Sequence, residues 1–163
     1  MKVNVTVSAK LGNYETDCQI EIGSDEYMKE QIFEALQKEY PEIEEDEQVS
    51  ADNISYEVTD WEDLDDYKEL KDESLFEELA DYSGSNDLEI LNAGIEAGVS
   101  FSDIDEAYSG TYKDDEAFTE DLLEQTGDLP SDLPAYIHID WESTARDIMM
   151  DYSEANGHYF RNL

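Results

Sequence analysis

The chain has 163 residues, of which 45 are Asp or Glu and nine are Lys or Arg, so its formal net charge is −36 at pH 7. This charge excludes nucleic acid and anionic membrane surfaces as direct ligands, because polyanions repel one another. It does not indicate disorder, since 11% of the residues are aromatic and 39% are hydrophobic, whereas disordered acidic chains lack such residues. One cysteine, Cys18, permits no intrachain disulfide and suits a reducing compartment. With neither a signal peptide nor a membrane span predicted, we expect a folded protein of the cytoplasm.

The first 60 residues predict a small ββαβ unit. Its three strands follow from apolar residues that alternate with polar ones over 3–7, 18–22 and 54–58. A helix is expected between Ser24, a favourable N-cap residue, and Pro41, which cannot continue a helix. Its buried stripe repeats every four residues and consists of Met28, Ile32, Leu36 and Tyr40.

Residues 61–108 change to a helical period and predict an acidic helical middle unit. Ser74 and Glu77 have the spacing of a capping box, and Gly84 is expected to close that helix. A second helix should end near Gly98. A further short helix is predicted from Val99, Phe101, Ile104 and Tyr108.

Residues 109–163 predict a C-terminal α+β unit. A helix around Phe118 should stop at Gly127, and a second helix should begin near Trp141. Asn156-Gly157 is a strong signal for a two-residue hairpin turn between two short terminal strands. The whole chain is therefore predicted to be an α+β protein made of three small acidic units.

The acidic residues lie along the whole chain, and residues 39–67, 72–112 and 114–145 contain no Lys or Arg. A solvated surface explains any one acidic cluster, whereas three successive tracts without basic residues favour a decoy of nucleic acid. If the chain dimerised, its charge would match that of about 120 Å of duplex, because B-DNA carries one charge per about 1.7 Å. The candidate phosphate-mimicking residues are Glu42, Glu44, Glu45, Asp46, Glu47, Asp60, Glu62, Asp63, Asp65, Asp66, Asp103, Asp105, Glu106, Asp114, Asp115, Glu116, Glu120, Asp121 and Glu124.

No catalytic or cofactor motif is recognisable, and we expect no enzymatic activity and no cofactor. The acidic runs over 63–66 and 103–106 fail the calcium-loop pattern at its Gly and Glu positions, which leaves weak divalent binding as an alternative. His138 and His158 have no metal-ligand neighbours in sequence and are predicted to be structural. Cys18 is predicted to be a buried thiol, and Arg146 is predicted to form an ion pair that fixes the fold.

The last third carries several motifs in a fixed order. Leu122-Leu123-Glu124-Gln125-Thr126-Gly127 is followed by the loop Leu129-Pro130-Ser131-Asp132-Leu133-Pro134-Ala135-Tyr136. The helix motif Ile139-Asp140-Trp141-Glu142-Ser143-Thr144-Ala145-Arg146-Asp147-Ile148 comes next, and Asn156-Gly157-His158-Tyr159-Phe160-Arg161-Asn162 ends the chain. Over residues 108–162 this order resembles the ArdA family of antirestriction proteins.

The resemblance implies an elongated, acidic, three-domain protein that dimerises through its C-terminal domain. Such proteins, which phages and mobile elements encode, mimic bent duplex DNA in the DNA groove of type I restriction-modification enzymes. The candidate dimer contacts are Trp141, Ile148, Met149 and Phe160. Three alternatives stay open: a general acidic chaperone or adaptor for basic DNA-binding proteins, an inhibitor of another DNA-targeting defence system, and an ordinary domain from a salt-rich cytoplasm.

Overall fold

The computed structural model describes residues 2–45, 49–129, 133–134 and 136–163, without the side chains of Glu44 and Glu45. The fold is α+β, as predicted. The described residues form six α-helices and two three-stranded antiparallel sheets. None of the described helices combines the length and the apolar character that crossing a membrane requires.

The chain divides into two compact units, Met1–Gly84 and Ser85–Leu163, instead of the three that were predicted. The middle section forms no unit of its own, because its apolar residues are shared between the two units. Leu70 and Leu79 are buried in the first unit, whereas Leu91 and Ile104 are buried in the second. A short helical section buries too little apolar surface to be stable alone.

The first unit contains the predicted ββαβ arrangement. Its sheet has the order β2-β1-β3, and its elements are β1 (Asn4–Leu11), β2 (Tyr14–Glu21), α1 (Asp25–Glu39) and β3 (Ser55–Asp60). The tight turn between β1 and β2 uses Gly12, whose φ of 62° is easy only for glycine. The stripe of α1 is buried as predicted, except for Tyr40, which follows the last turn and is half-buried.

The last helix of the first unit, α2 (Phe76–Asp81), is shorter than the sequence predicted. The predicted capping box is absent from this segment: the carboxylate of Asp72 accepts a hydrogen bond of 2.9 Å from the Ser74 N–H instead. The helix ends before Gly84, because Tyr82 already has an extended backbone.

The second unit packs four helices with a small sheet of order β4-β6-β5. Its elements are α3 (Leu88–Glu96), α4 (Ile104–Ala107), β4 (Tyr108–Thr111), α5 (Asp115–Thr126), α6 (Trp141–Ile148), β5 (Tyr152–Ala155) and β6 (His158–Arg161). The predicted hairpin is confirmed, with φ values of 54° at Asn156 and 82° at Gly157. Tyr108, predicted to be helical, lies in β4 because it pairs with Phe160 of β6.

Each of the four longest helices begins at a side chain that accepts a backbone hydrogen bond. These N-cap residues are Ser24, Asp87, Asp114 and Asp140. Such a cap stabilises a helix by about 1 kcal/mol, and an aspartate also interacts favourably with the helix dipole. Part of the acidic excess is therefore used to begin helices.

Gly94 allows α3 to pack closely against α4, and replacing it should destabilise the second unit. A Cβ at this position would lie 2.8 Å from Cγ1 of the buried Ile104. Alanine favours a helix over glycine by about 1 kcal/mol, but overpacking a core costs about 1–3 kcal/mol. We expect Gly94→Ala to lower the free energy of unfolding by about 1 kcal/mol, as measured by urea denaturation.

The same substitution in an Ile104→Ala background is the control, because that background removes the side chain that the new methyl group would meet. There Gly94→Ala should stabilise the protein through its helix propensity. Equal destabilisation in both backgrounds would contradict the packing explanation.

Candidate functional site

The positive charges of the protein are almost all paired with carboxylates. Eight of the nine Lys and Arg side chains have a nitrogen atom 2.7–3.8 Å from a described carboxylate oxygen. The paired residues are Lys2, Lys10, Lys29, Lys68, Lys71, Lys113, Arg146 and Arg161. Exposed ion pairs contribute little stability. Because these ion pairs neutralise most of the basic side chains, the carboxylates outside the pairs dominate the charge of the surface.

Helix α5 presents three of the predicted target-binding residues as a row on its exposed side. Glu116, Glu120 and Glu124 are exposed, and four residues separate each from the next. This spacing corresponds to a rise of about 6 Å and places the three side chains on one face, opposite the buried Phe118. No described residue forms a hydrogen bond or ion pair with them. We call this set the α5 glutamate row.

Helix α1 carries a second row of the same kind, which the sequence analysis missed. Glu26, Glu30 and Glu34 are exposed and also four residues apart. Each of these glutamates lies two positions before a residue of the buried stripe. Two positions correspond to about half a helical turn, so the row lies on the face opposite the stripe. Their regular spacing was the signal available in the sequence. We call this set the α1 glutamate row.

Both glutamate rows oppose the stability of the helices that carry them. Like charges four residues apart destabilise a helix by about 0.2–0.5 kcal/mol per pair. Glu124 also lies near the negative end of the α5 dipole, and the last turn of α5 contains no basic residue. Each row has one charge per about 6 Å, within a factor of two of the 3.4 Å along one DNA strand. Only the first member of each row, Glu26 on α1 and Glu116 on α5, lies in a first turn, where negative charge interacts favourably with the helix dipole.

Two of the predicted target-binding carboxylates hold the acidic segment that follows β3 against the first sheet. Asp63 accepts hydrogen bonds from the backbone N–H of Asn4 at 2.8 Å and from its Nδ2 at 3.1 Å. Glu62 accepts from Thr6 Oγ1 at 2.8 Å and from Gln19 Nε2. Their neutralisation would therefore change the fold as well as the surface charge.

Tyrosine hydroxyls hold two further candidates in the second unit. Tyr112 donates to Asp121 at 2.6 Å, and Tyr159 donates to Asp115 at 2.7 Å. The hydrogen bond to Asp121, followed by burial, raises the pKa of Tyr112 to about 12. Burial and the bond to Asp115 raise the pKa of Tyr159 as well. These carboxylates are fixed in place by the core of the unit.

The other predicted acids differ in their surroundings. Five of them have polar partners: Asp65 pairs with Lys71, Glu106 with Arg161, Asp114 with Lys113, Asp105 with Asn86 and Asp103 with Ser102. Glu42, Asp60 and Asp66 are exposed, and no described residue is bonded to their side chains. Asp46 and Glu47 lie outside the described residues, as do the side chains of Glu44 and Glu45.

The four candidate dimer residues do not share one surface. Phe160 is fully buried in its own unit, where its ring centroid lies 5.5 Å from that of Tyr108, so its assignment to a dimer contact is wrong. Trp141 and Ile148 of α6 and Met149, which directly follows that helix, are half-buried. Trp141 and Ile148, seven residues apart, lie on one side of the helix, and Met149 is turned about 100° from Ile148.

The structure corrects two of the single-residue predictions. Cys18 is half-buried rather than buried, and burial together with the nearby Asp17 raises the pKa of its thiol. Arg146 is exposed, and among the described residues its guanidinium forms an ion pair with Glu142, at 3.4 Å and one helical turn away. Such a pair contributes about 0.3–0.5 kcal/mol, too little to fix the fold.

The two histidines occupy different environments. His158 is buried, and its Nδ1 lies 3.3 Å from the hydroxyl oxygens of both Tyr108 and Thr111, which agrees with the predicted structural role. His138 is exposed. Among the described residues, no group of three or more His, Cys, Asp or Glu side chains is arranged to hold a metal ion.

The Tyr112–Asp121 bond predicts a loss of stability at high pH. The folded state keeps the Tyr112 phenol protonated up to about pH 12, whereas the unfolded chain ionises it near pH 10.0. Its contribution is therefore fully present below pH 10.0 and is lost as the pH rises toward 12. We expect Tyr112→Phe to flatten the alkaline fall in the urea midpoint of unfolding. Tyr136→Phe is the control, because its ring is 82% exposed, and an equal flattening there would contradict the assignment.

The described surface thus combines two kinds of carboxylate. Some, such as Asp63 and Asp121, are fixed by the fold, whereas the two glutamate rows are exposed without a described partner.

Comparisons of this chain with protein-family models, with curated proteins and with solved structures give no match.

Proposed function

We propose that this protein is an antirestriction protein that mimics DNA. It occupies the basic DNA-binding groove of a type I restriction-modification enzyme and so prevents that enzyme from binding DNA. The observation that carries the proposal is the pair of exposed glutamate rows, on a chain of net charge −36 whose basic residues are almost all paired. The resemblance of residues 108–162 to the ArdA family supplies the class of target.

The proposed mechanism is electrostatic competition. A DNA-binding groove is lined with Lys and Arg side chains that otherwise neutralise phosphates. Glutamates at intervals of about 6 Å offer these side chains alternative anionic partners along two helices. Long-range attraction accelerates the encounter, and many weak contacts then hold the complex together.

The proposed inhibitor is a homodimer, in which Trp141 and Ile148 on one side of α6 contribute to the interface. Both side chains are half-buried within the single chain and so retain apolar surface for a partner copy. We expect light scattering at micromolar concentration to give about twice the mass of one chain. Ile148→Asp should give a monomer, because an interface buries charge only at high cost.

The matched control for the dimer is Met150→Asp, which introduces the same charge at a residue that is already 77% exposed. It should leave the mass unchanged. A monomeric wild-type protein, or equal masses for the two variants, would contradict the proposed interface.

The function is tested by competition for the target enzyme. Labelled duplex DNA is bound to a purified type I restriction-modification enzyme, and the protein is titrated in while fluorescence anisotropy is recorded. We expect displacement of the labelled DNA, reversed when the concentration of the labelled duplex itself is raised. A type II endonuclease and a histone-like basic protein serve as comparison targets. Equal affinity for the histone-like protein would favour an acidic chaperone, and no displacement from the type I enzyme would reject the proposed target.

A further inference from the structure

The second unit contains an open cleft of about 720 Å³ between the start of α5, helix α6 and the terminal hairpin. Ala145 and Tyr159, both buried, lie beneath its floor, and the half-buried Met149 exposes part of its side chain there. Met150, which also lines the cleft, is 77% exposed. Methionine side chains are flexible and polarisable, and they adapt well to the surface of a binding partner. The two methionines therefore give this cleft an apolar part beside its charged residues.

The rim of this cleft is acidic. Its lining includes five Asp or Glu residues and two basic ones, which gives a formal balance of −3. The two basic side chains, Lys113 and Arg146, are 3.4 Å from Asp114 and Glu142 respectively. Glu116, which also lines the cleft, has no hydrogen-bond or ion-pair partner among the described residues. Positive charge is therefore favoured at the rim, and apolar groups are favoured within.

We infer that this cleft docks a basic amphipathic segment of a partner protein, in which Lys or Arg side chains flank apolar ones. The acidic rim matches the basic groups, and the two methionines match the apolar ones. A basic segment suits this rim better than a second copy of the chain does, because a second copy has only nine Lys and Arg residues to offer it. The inference goes beyond DNA mimicry, since a phosphate decoy has no use for an apolar site.

The cleft can be tested on the intact protein with methionines labelled at their ¹³C methyl groups. The probe is a synthetic helical peptide with leucines on one face and arginines beside them. The protein has four methionines, of which Met28 is buried in the first unit and serves as an internal reference. We expect the methyl signals of Met149 and Met150 to shift on titration while that of Met28 stays. If the methyl signals of Met149 and Met150 both stay unchanged on titration, the inference is overturned.

Two pairs of variants separate the apolar and charged contributions to peptide affinity. Met150→Ser should weaken peptide binding about fivefold to tenfold, and Tyr27→Ser, at a 43% exposed residue of the other unit, should not change it. Glu116→Gln should weaken binding more than Glu120→Gln, because Glu116 lines the cleft and Glu120, from the same row, does not. Circular dichroism verifies that each variant is folded.

An oligoarginine peptide tests whether charge alone is sufficient. In 0.5 M salt we expect the leucine–arginine peptide to stay bound when oligoarginine of equal charge has dissociated, because screening acts only on the charged contribution. Equal behaviour of the two peptides would overturn the inference. A shift from dimer to monomer caused by Met150→Ser would assign the cleft to self-association and overturn it too. The peptide assay does not depend on any restriction enzyme, so its outcome is separate from that of the competition assay.

Discussion

Changing all three residues of the α5 glutamate row to glutamine should weaken inhibition of a type I restriction-modification enzyme by roughly 3- to 100-fold. Each exposed carboxylate that meets a Lys or Arg contributes about 0.2–1 kcal/mol, and the row contains three such groups. The same substitutions remove the repulsion between glutamates four residues apart. We therefore expect the thermal unfolding midpoint to stay unchanged or to rise. The measurements are competition anisotropy and thermal unfolding.

The control removes the same number of charges from exposed positions outside any row, with Glu39, Glu57 and Glu73 changed to glutamine. Inhibition by this control should fall less than inhibition by the row variant. Equal losses would show that total charge, and not the arrangement on α5, determines binding. A row variant that loses stability together with binding would assign these glutamates to the fold.

Salt should act in opposite directions on the binding and on the stability of this protein. Raising NaCl from about 0.1 M to about 1 M shortens the screening length from about 10 Å to about 3 Å. Attraction to the basic groove is then screened, and we expect inhibition to weaken by about 100-fold or more. Repulsion within the chain is screened as well, so the unfolding midpoint should rise.

Sucrose at matched osmolality is the control, and it should leave the affinity for the target enzyme unchanged. The row variant should show a shallower dependence of affinity on salt than the wild type. Affinity that does not respond to salt would contradict electrostatic competition. A protein that folds only near 1 M salt would instead favour an ordinary domain from a salt-rich cytoplasm.

Features set by neighbouring residues could be predicted from the sequence. The turn at Asn156-Gly157 requires positive φ at both positions, and Asn and Gly adopt this conformation most readily. The cap at Ser24 and the end of α5 at Gly127 follow from similarly local preferences. Alternating apolar residues likewise predicted all three strands of the first unit.

The roles of individual carboxylates could not be predicted, because residues far along the chain determine them. Asp63 is held by Asn4, 59 positions earlier, and Asp115 by Tyr159, 44 positions later. The amino-acid composition does not distinguish an aspartate that is held by such a hydrogen bond from an aspartate that has no bonding partner. Tyr108 was misassigned for a related reason: its strand depends on pairing with β6, which local periodicity does not show.

The freedom of the glutamate rows affects how many different targets one such inhibitor recognises. Asp121 is already held by Tyr112 and Gln125, whereas Glu120 and Glu124 must lose side-chain freedom when they meet a partner. Ordering each such side chain costs about 0.5–1.5 kcal/mol, which reduces the affinity for any single groove. A freely rotating carboxylate can, however, follow a Lys or Arg whose position differs from one enzyme to another. Such a surface favours binding to many different grooves over tight binding to one, and the proposed inhibitor would therefore recognise several related enzymes.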